Sequence, residues 1–210
     1  MKTARDKLLS ICSDEISASN DDKNCTSLLN FSLINDLIEL LNKRNGFYGF
    51  ESALHVFPFE STDLEIGLLD WNKHPLWIDD YKDLAKDAVY FAEDIFGGQF
   101  CIKQNGIYLF EPETGRFDFI SNDLNQWCNN VLKNYNFLTG YSLAHAWQKE
   151  NGGIPVGFRL IPKVPFVLGG EFSIDNLYME RTLSAMKIRA NIALQIRNIP
   201  DGEQVKIRIP

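Results

Sequence analysis

Apolar and polar positions alternate most clearly over residues 99–120, QFCIKQNGIYLFEPETGRFDFI. Phe100, Ile102, Ile107 and Leu109 mark the period-two face of two adjacent strands, and Phe117 and Phe119 continue it in a third. Asn105 and Gly106 separate the first two runs with the residues a tight hairpin turn demands. Pro112, Glu113, Thr114 and Gly115 separate the second and third, with Pro where its fixed φ suits the turn. The pattern predicts a three-stranded antiparallel meander. A preceding strand, VYFAED, is broken by Gly97 and Gly98, and a short strand around Leu54 and Val56 ends at Pro58.

Helical periodicity brackets the meander. Leu29, Leu33, Leu37, Leu40 and Leu41 recur on one face, widened by Ile34 and Ile38, and Asn45 with Gly46 supplies the stop. After the meander, Asn122 or Asp123 can cap a helix whose Leu124, Trp127, Cys128, Val131 and Leu132 face one way. A second helix runs through Leu143, Ala146 and Trp147 to Gly152 and Gly153. A third spans about Arg181 to Arg197, with Leu183, Met186, Ala190, Ala193 and Leu194 on one face. Residues 154–170 are punctuated by Pro and Gly, and QVKIRI reads as a closing strand. Residues 66–79 hold Trp71 and Trp77 as two buried anchors on either side of a bend at His74 and Pro75. The expected class is α+β, an antiparallel meander sheet flanked by helices. A polar N-terminal lead-in over residues 1–27 precedes one domain over residues 28–210.

Composition adds limits. The chain has 210 residues, 12% aromatic, with 15 Phe. No apolar run reaches the 18 residues or so of a membrane span, and the N-terminus has no signal-peptide core, so a reducing cytoplasmic setting is expected. Cys12, Cys25, Cys101 and Cys128 form no Cys-x-x-Cys pair and no zinc-ligand spacing, so free thiols are expected. The formal net charge is −7. It is unevenly spread: −10 over residues 1–150, +3 over residues 151–210, and −7 within residues 60–94 alone. Such a surface repels nucleic acid and attracts a basic protein.

YFAEDIFGGQFCIKQNGIYLFEPETGRFDFISNDLNQW resembles the SUKH superfamily, specifically its Smi/Knr-type members. LLNKRNGFYGFESALHVFP is similar to that family's first helix, stop and first strand, and RLIPKVPFVLGGEF and the closing helix with IPDG are similar to bacterial members. The resemblance implies an antiparallel sheet flanked by helices. It also implies a protein-binding role: bacterial members look like immunity proteins that bind and block a cognate toxin, often a nuclease, and eukaryotic relatives look like regulators of cell-wall assembly. It supplies no catalytic motif.

The residues themselves supply none either. His55, His74 and His145 accompany no nucleophile signature, and no phosphate-binding glycine loop exists. Glu93 and Asp94, adjacent on a strand, point to opposite faces, and Glu111 and Glu113 flank a turn proline where solvation is expected. No catalytic residue, metal ligand or cofactor is therefore assigned. An immunity protein is the leading reading, a non-catalytic scaffold or regulator of the same fold the alternative, and a hydrolytic enzyme the third. The expected partner surface is Trp77 with Asp79, Asp80, Asp83 and Asp87. If that stretch is helical, Asp79, Asp83 and Asp87 line one face. The competing reading is a solvated acidic segment softened by Lys82 and Lys86.

Overall fold

The structure, a computed structural model, describes residues 2–18, 28, 31–200, 202–203 and 206–207. Six strands form one sheet in chain order, each antiparallel to its neighbours: β1 (Phe47–Gly49), β2 (Leu54–Val56), β3 (Ala88–Asp94), β4 (Gln99–Lys103), β5 (Gly106–Glu111) and β6 (Arg116–Ser121). The expected meander is β4 to β6. Its first turn sits one residue earlier than the Asn105–Gly106 reading: Lys103 pairs with Gly106, so Gln104 and Asn105 form the loop, with Gln104 at φ 52°. Gly106 belongs to the strand, where a Cβ would lie 2.9 Å from the Phe119 ring. The second turn is as expected, with Glu111 opposite Arg116 and Gly115 at φ 72°.

Both faces of the central strands are covered, which is why β3 and β4 are buried almost throughout rather than in alternation. On one face, Phe91 and Phe100 meet Trp127 of α4 (Leu124–Lys133) edge to face, at 5.1 and 5.4 Å between ring centres. Asp123 caps that helix by accepting from the Gln126 N–H at 2.7 Å. On the other face, Tyr90 and Phe110 pack against Trp77 and Tyr81, beside α7 (Thr182–Ile196), whose Met186, Ala190 and Ala193 join the same core. Trp71 and Trp77 are both buried around the expected bend, which is built from α3 (Leu68–Trp71) and 3₁₀ turns at His74–Leu76 and Ile78–Tyr81.

Two parts of the chain differ from the expectation. The lead-in carries α1 (Ala4–Leu9), capped by Thr3, whose Leu8 is fully buried against the core beside α4 and α2 (Ile34–Lys43). The Pro/Gly-punctuated segment contains β7 (Phe158–Pro162), which pairs with β8 (Leu177–Arg181) in a second, two-stranded sheet. Between β6 and β7 lie α5 (Tyr135–Thr139) and α6 (Tyr141–Asn151), joined at Gly140. Gly140 has φ 70° and lies flush against Phe96, leaving no room for a side chain. Most of the expected closing strand lies outside the described residues, and Lys206 and Ile207 are not in a strand. Cys12, Cys101 and Cys128 are free thiols; Cys25 lies outside the described residues.

Because Leu8 is sealed in the core, Leu8→Ala is expected to lower unfolding free energy by about 2–5 kcal/mol. Urea denaturation checks this; a loss below about 0.5 kcal/mol, typical of a surface site, contradicts it.

Candidate functional site

The sequence-predicted partner surface does not assemble. Trp77 has no exposed surface: its indole N–H donates to the Trp71 carbonyl at 2.9 Å, and its ring lies among Trp71, Tyr81, Tyr90 and Phe110. It cannot serve as an interface anchor without unfolding the core. The acidic stretch is not an α-helix either. A 3₁₀ turn ends at Tyr81, and Lys82 and Asp87 take positive φ values of 58° and 60°, so Asp79, Asp83 and Asp87 share no helical face. Asp79, Asp80, Asp83 and Asp87 are all exposed. Asp83 is already paired: Arg197 donates to both its carboxylate oxygens at 2.8 Å and holds the group down at about 2.

A buried charge cluster lies where β2, β3, β4 and β7 meet. Arg159 of β7 approaches Glu93 of β3 at 2.8 Å, and His55 of β2 reaches the same carboxylate at 3.0 Å through Nδ1. Gln99 donates to Glu93 at 3.1 Å while accepting from the Trp71 indole at 2.8 Å. Tyr48, stacked on His55, donates to Glu65. Burial works against the Glu93 carboxylate, but Arg159, His55 and Gln99 outweigh it and hold the group below its ordinary range. Nothing in the sequence points to this cluster, since its members come from widely separated segments. The other histidines are peripheral: His74 lies 3.7 Å from Asp79, and His145 meets Glu51 at 2.6 Å, tying α6 to the β1–β2 turn.

Immediately after Glu93 the chain turns into a groove. Asp94 folds its carboxylate over the following turn and accepts from the Phe96 and Gly98 N–H groups at 2.8 Å each. From there an open cavity of about 550 Å³ runs between the β5–β6 turn, the α5–α6 junction, α7 and residues 166–172. Its walls are Phe96, Leu109, Leu143 and Phe166, and Phe172 stacks on Phe166 at 3.9 Å. Phe137 and Phe172 at its edge are 87% and 68% exposed, and Val167 is 40% exposed. Asp94, Glu113 and Arg189 lie at the floor, all buried. Glu113, expected to be solvated beside its turn proline, is instead 2% exposed and accepts from the Val167 N–H at 2.8 Å, pinning one rim to the sheet. Burial pushes Asp94 up to about 7, against the pull of the Gly98 N–H and Arg189. Burial, with Glu111 nearby, pushes Glu113 to about 7 as well, against the Val167 N–H. Sequence offered no signal for this groove beyond its turn glycines.

Among the described residues, no group of three His, Cys, Asp or Glu side chains could hold a metal ion. No helix among them is long and apolar enough to cross a membrane.

An α+β scaffold built on one six-stranded meander, with an aromatic-rimmed groove at one end, defines the architecture. The chain belongs to the SMI1 / KNR4 family (SUKH-1), which matches residues 19–130. It is similar in fold to the crystal structure of Atu4351 from Agrobacterium tumefaciens, with a TM-score of 0.58 and 12% identity over 87% of this chain and 86% of that one. No curated protein matches the chain.

Asp94 and Glu113 give a pH signature. In the folded protein both stay protonated up to about pH 7, whereas in the unfolded chain they ionise near pH 4. Their contribution to stability is full below about pH 4 and is lost as pH rises through about 7. Thermal unfolding between pH 5 and 7.5 is expected to show a midpoint that falls with pH. The slope flattens in the Asp94→Asn/Glu113→Gln variant; equal slopes in parent and variant contradict the assignment.

Proposed function

We propose that this protein is an immunity protein: it binds a cognate toxin and blocks it, with no reaction of its own. Membership of the SMI1 / KNR4 family supports a protein-binding role on this scaffold. The observation that carries the reading to a surface is the groove rim, where Phe137 and Phe172 stand exposed beside an apolar cavity. Aromatic side chains left in water around a concave floor are what a binding surface keeps and an ordinary surface avoids. The groove faces are supplied by backbone pinned from below, so the surface is preformed. Asp79, Asp80 and Asp87, exposed on the acidic side of the chain, serve in this reading as long-range steering for a basic partner and not as anchors.

The test pairs the chain with the product of the toxin gene adjacent to its own. Co-expression restores growth, and the purified pair binds tightly. Phe137→Ser and Phe172→Ser together weaken binding by about 30-fold or more, the cost of losing one interface hot spot. No protection and no complex contradict the immunity reading. Protection and binding unchanged by both rim substitutions contradict the groove as its surface.

A further inference from the structure

The floor of the groove is chemically unlike its walls. Three carboxyl groups line it, Asp94, Glu111 and Glu113, against one guanidinium, Arg189. Among the described residues none of the three acids forms an ion pair. Arg189 is spent on its own surroundings: its Nε donates to the Ala185 carbonyl at 3.1 Å, Nη1 donates to the Phe96 carbonyl, and Nη2 rests against Met186 Sδ at 3.7 Å. Gly97 makes that placement possible, since any side chain there would collide with the guanidinium. The acids accept only backbone N–H groups. A carboxylate offers about four acceptor sites, so each keeps capacity to accept more.

We infer that the groove receives a lysine or arginine side chain, carried beside an apolar residue on a segment of the partner protein. The match is one of both ends. An aliphatic stem lies against Phe96, Leu143 and Phe166, and the cationic head reaches carboxyl groups that form no ion pair within the described residues. An apolar neighbour on the segment covers the exposed faces of Phe137 and Phe172. An anionic ligand fits poorly, because Arg189 already donates to the Ala185 and Phe96 carbonyls and three acids line the same cavity. The inference rests on the protein-binding reading for its biological occupant, but the chemistry of the groove is testable without that partner.

Proton linkage follows from the same geometry. Asp94 faces Arg189 of α7, Arg159 of β7 and Glu93 of its own strand, and Glu113 faces Glu111, Arg189 and Tyr81. A cation entering among them favours the ionised carboxylates, so binding releases protons and tightens as pH rises toward 8.

The probes are two capped dipeptides, acetyl-Leu-Lys-amide and acetyl-Leu-norleucine-amide, which differ by the ammonium group, titrated into the full chain at pH 7.5 and followed by amide NMR. The lysine peptide is expected to shift the amides of Phe96, Gly98 and Val167. It should bind about tenfold or more tightly than the norleucine peptide, the margin of one charge-assisted hydrogen bond. The advantage shrinks at pH 5.5, and Asp94→Asn with Glu113→Gln removes it while norleucine binding persists. The single variants are measured alongside in case the double one unfolds. Equal affinity for the two peptides, tighter binding of acetyl-Leu-Glu-amide, or shifts that follow protein concentration without peptide (a second copy in the groove) overturn the inference. If the adjacent toxin binds the Asp94→Asn/Glu113→Gln variant as tightly as the parent, the inference fails while the immunity reading stands. If the lysine peptide is preferred but the toxin is not bound, the immunity reading fails and the groove chemistry stands.

Discussion

The ion pair between Glu93 and Arg159 is the contact on which the rest of the architecture depends. Both side chains are sealed from water, which costs several kcal/mol per ion unless the pair is close and its remaining polar atoms are engaged. Here the pair is close, and His55, Gln99 and Thr182 crowd the same carboxylate while Arg159 donates to the Phe158 carbonyl at 2.8 Å; Arg159 Nε and His55 Nε2 are left without a hydrogen-bond partner among the described residues. These groups come from β2, β3, β4, β7 and α7, so the cluster forms only when the meander and the second ribbon are in register. One residue beyond Arg159, the Leu160 N–H donates to the Ile95 carbonyl at 2.9 Å and joins the ribbon to the end of β3. That joint places residues 166–172 opposite the β5–β6 turn. The groove is a consequence of it.

The groove then divides labour between stiffness and exposure. Glu113 pins the rim through the Val167 N–H, and Gly140 lets the α5–α6 junction close over Phe96. Phe137 and Phe172 are left in water on this held frame. A partner that covers them pays little to order the surface, because its backbone is already fixed. The acidic stretch at residues 79–87 is organised differently. Its one strongly held carboxylate, Asp83, is tied at the surface to Arg197, and its aromatic neighbour Trp77 belongs to the core.

Legibility followed the range of the interactions involved. The meander could be read because alternation and turn residues are local, and α4 and α7 because their apolar faces repeat every three or four residues. The first turn lies one residue earlier because Gly106 pairs with Lys103 inside the ladder, where the Phe119 ring of β6 packs close over it. The β7–β8 ribbon was illegible: Pro155, Pro162, Pro165 and the glycines near them read as breakers, although Pro162 lies at the strand's end where its missing N–H costs nothing in the core. Strand alternation separates the adjacent acids Glu93 and Asp94 onto two faces. Only the fold shows that one meets Arg159 and the other floors the groove. Glu113 was misread as solvated because the cover over it, residues 166–172, arrives from more than fifty positions away. Family resemblance reached the scaffold for the same reason that it missed the groove, since its motifs are turns and core aromatics.

If the groove is the partner surface, as proposed above, the acidic stretch stays free in the complex. Amide hydrogen exchange of the chain, alone and in complex with a protein partner, distinguishes the two surfaces. Binding at the groove gives new protection over residues 136–143 and 164–172, with residues 77–87 unchanged. Protection confined to residues 77–87, with the groove exchanging as in the free protein, would contradict it.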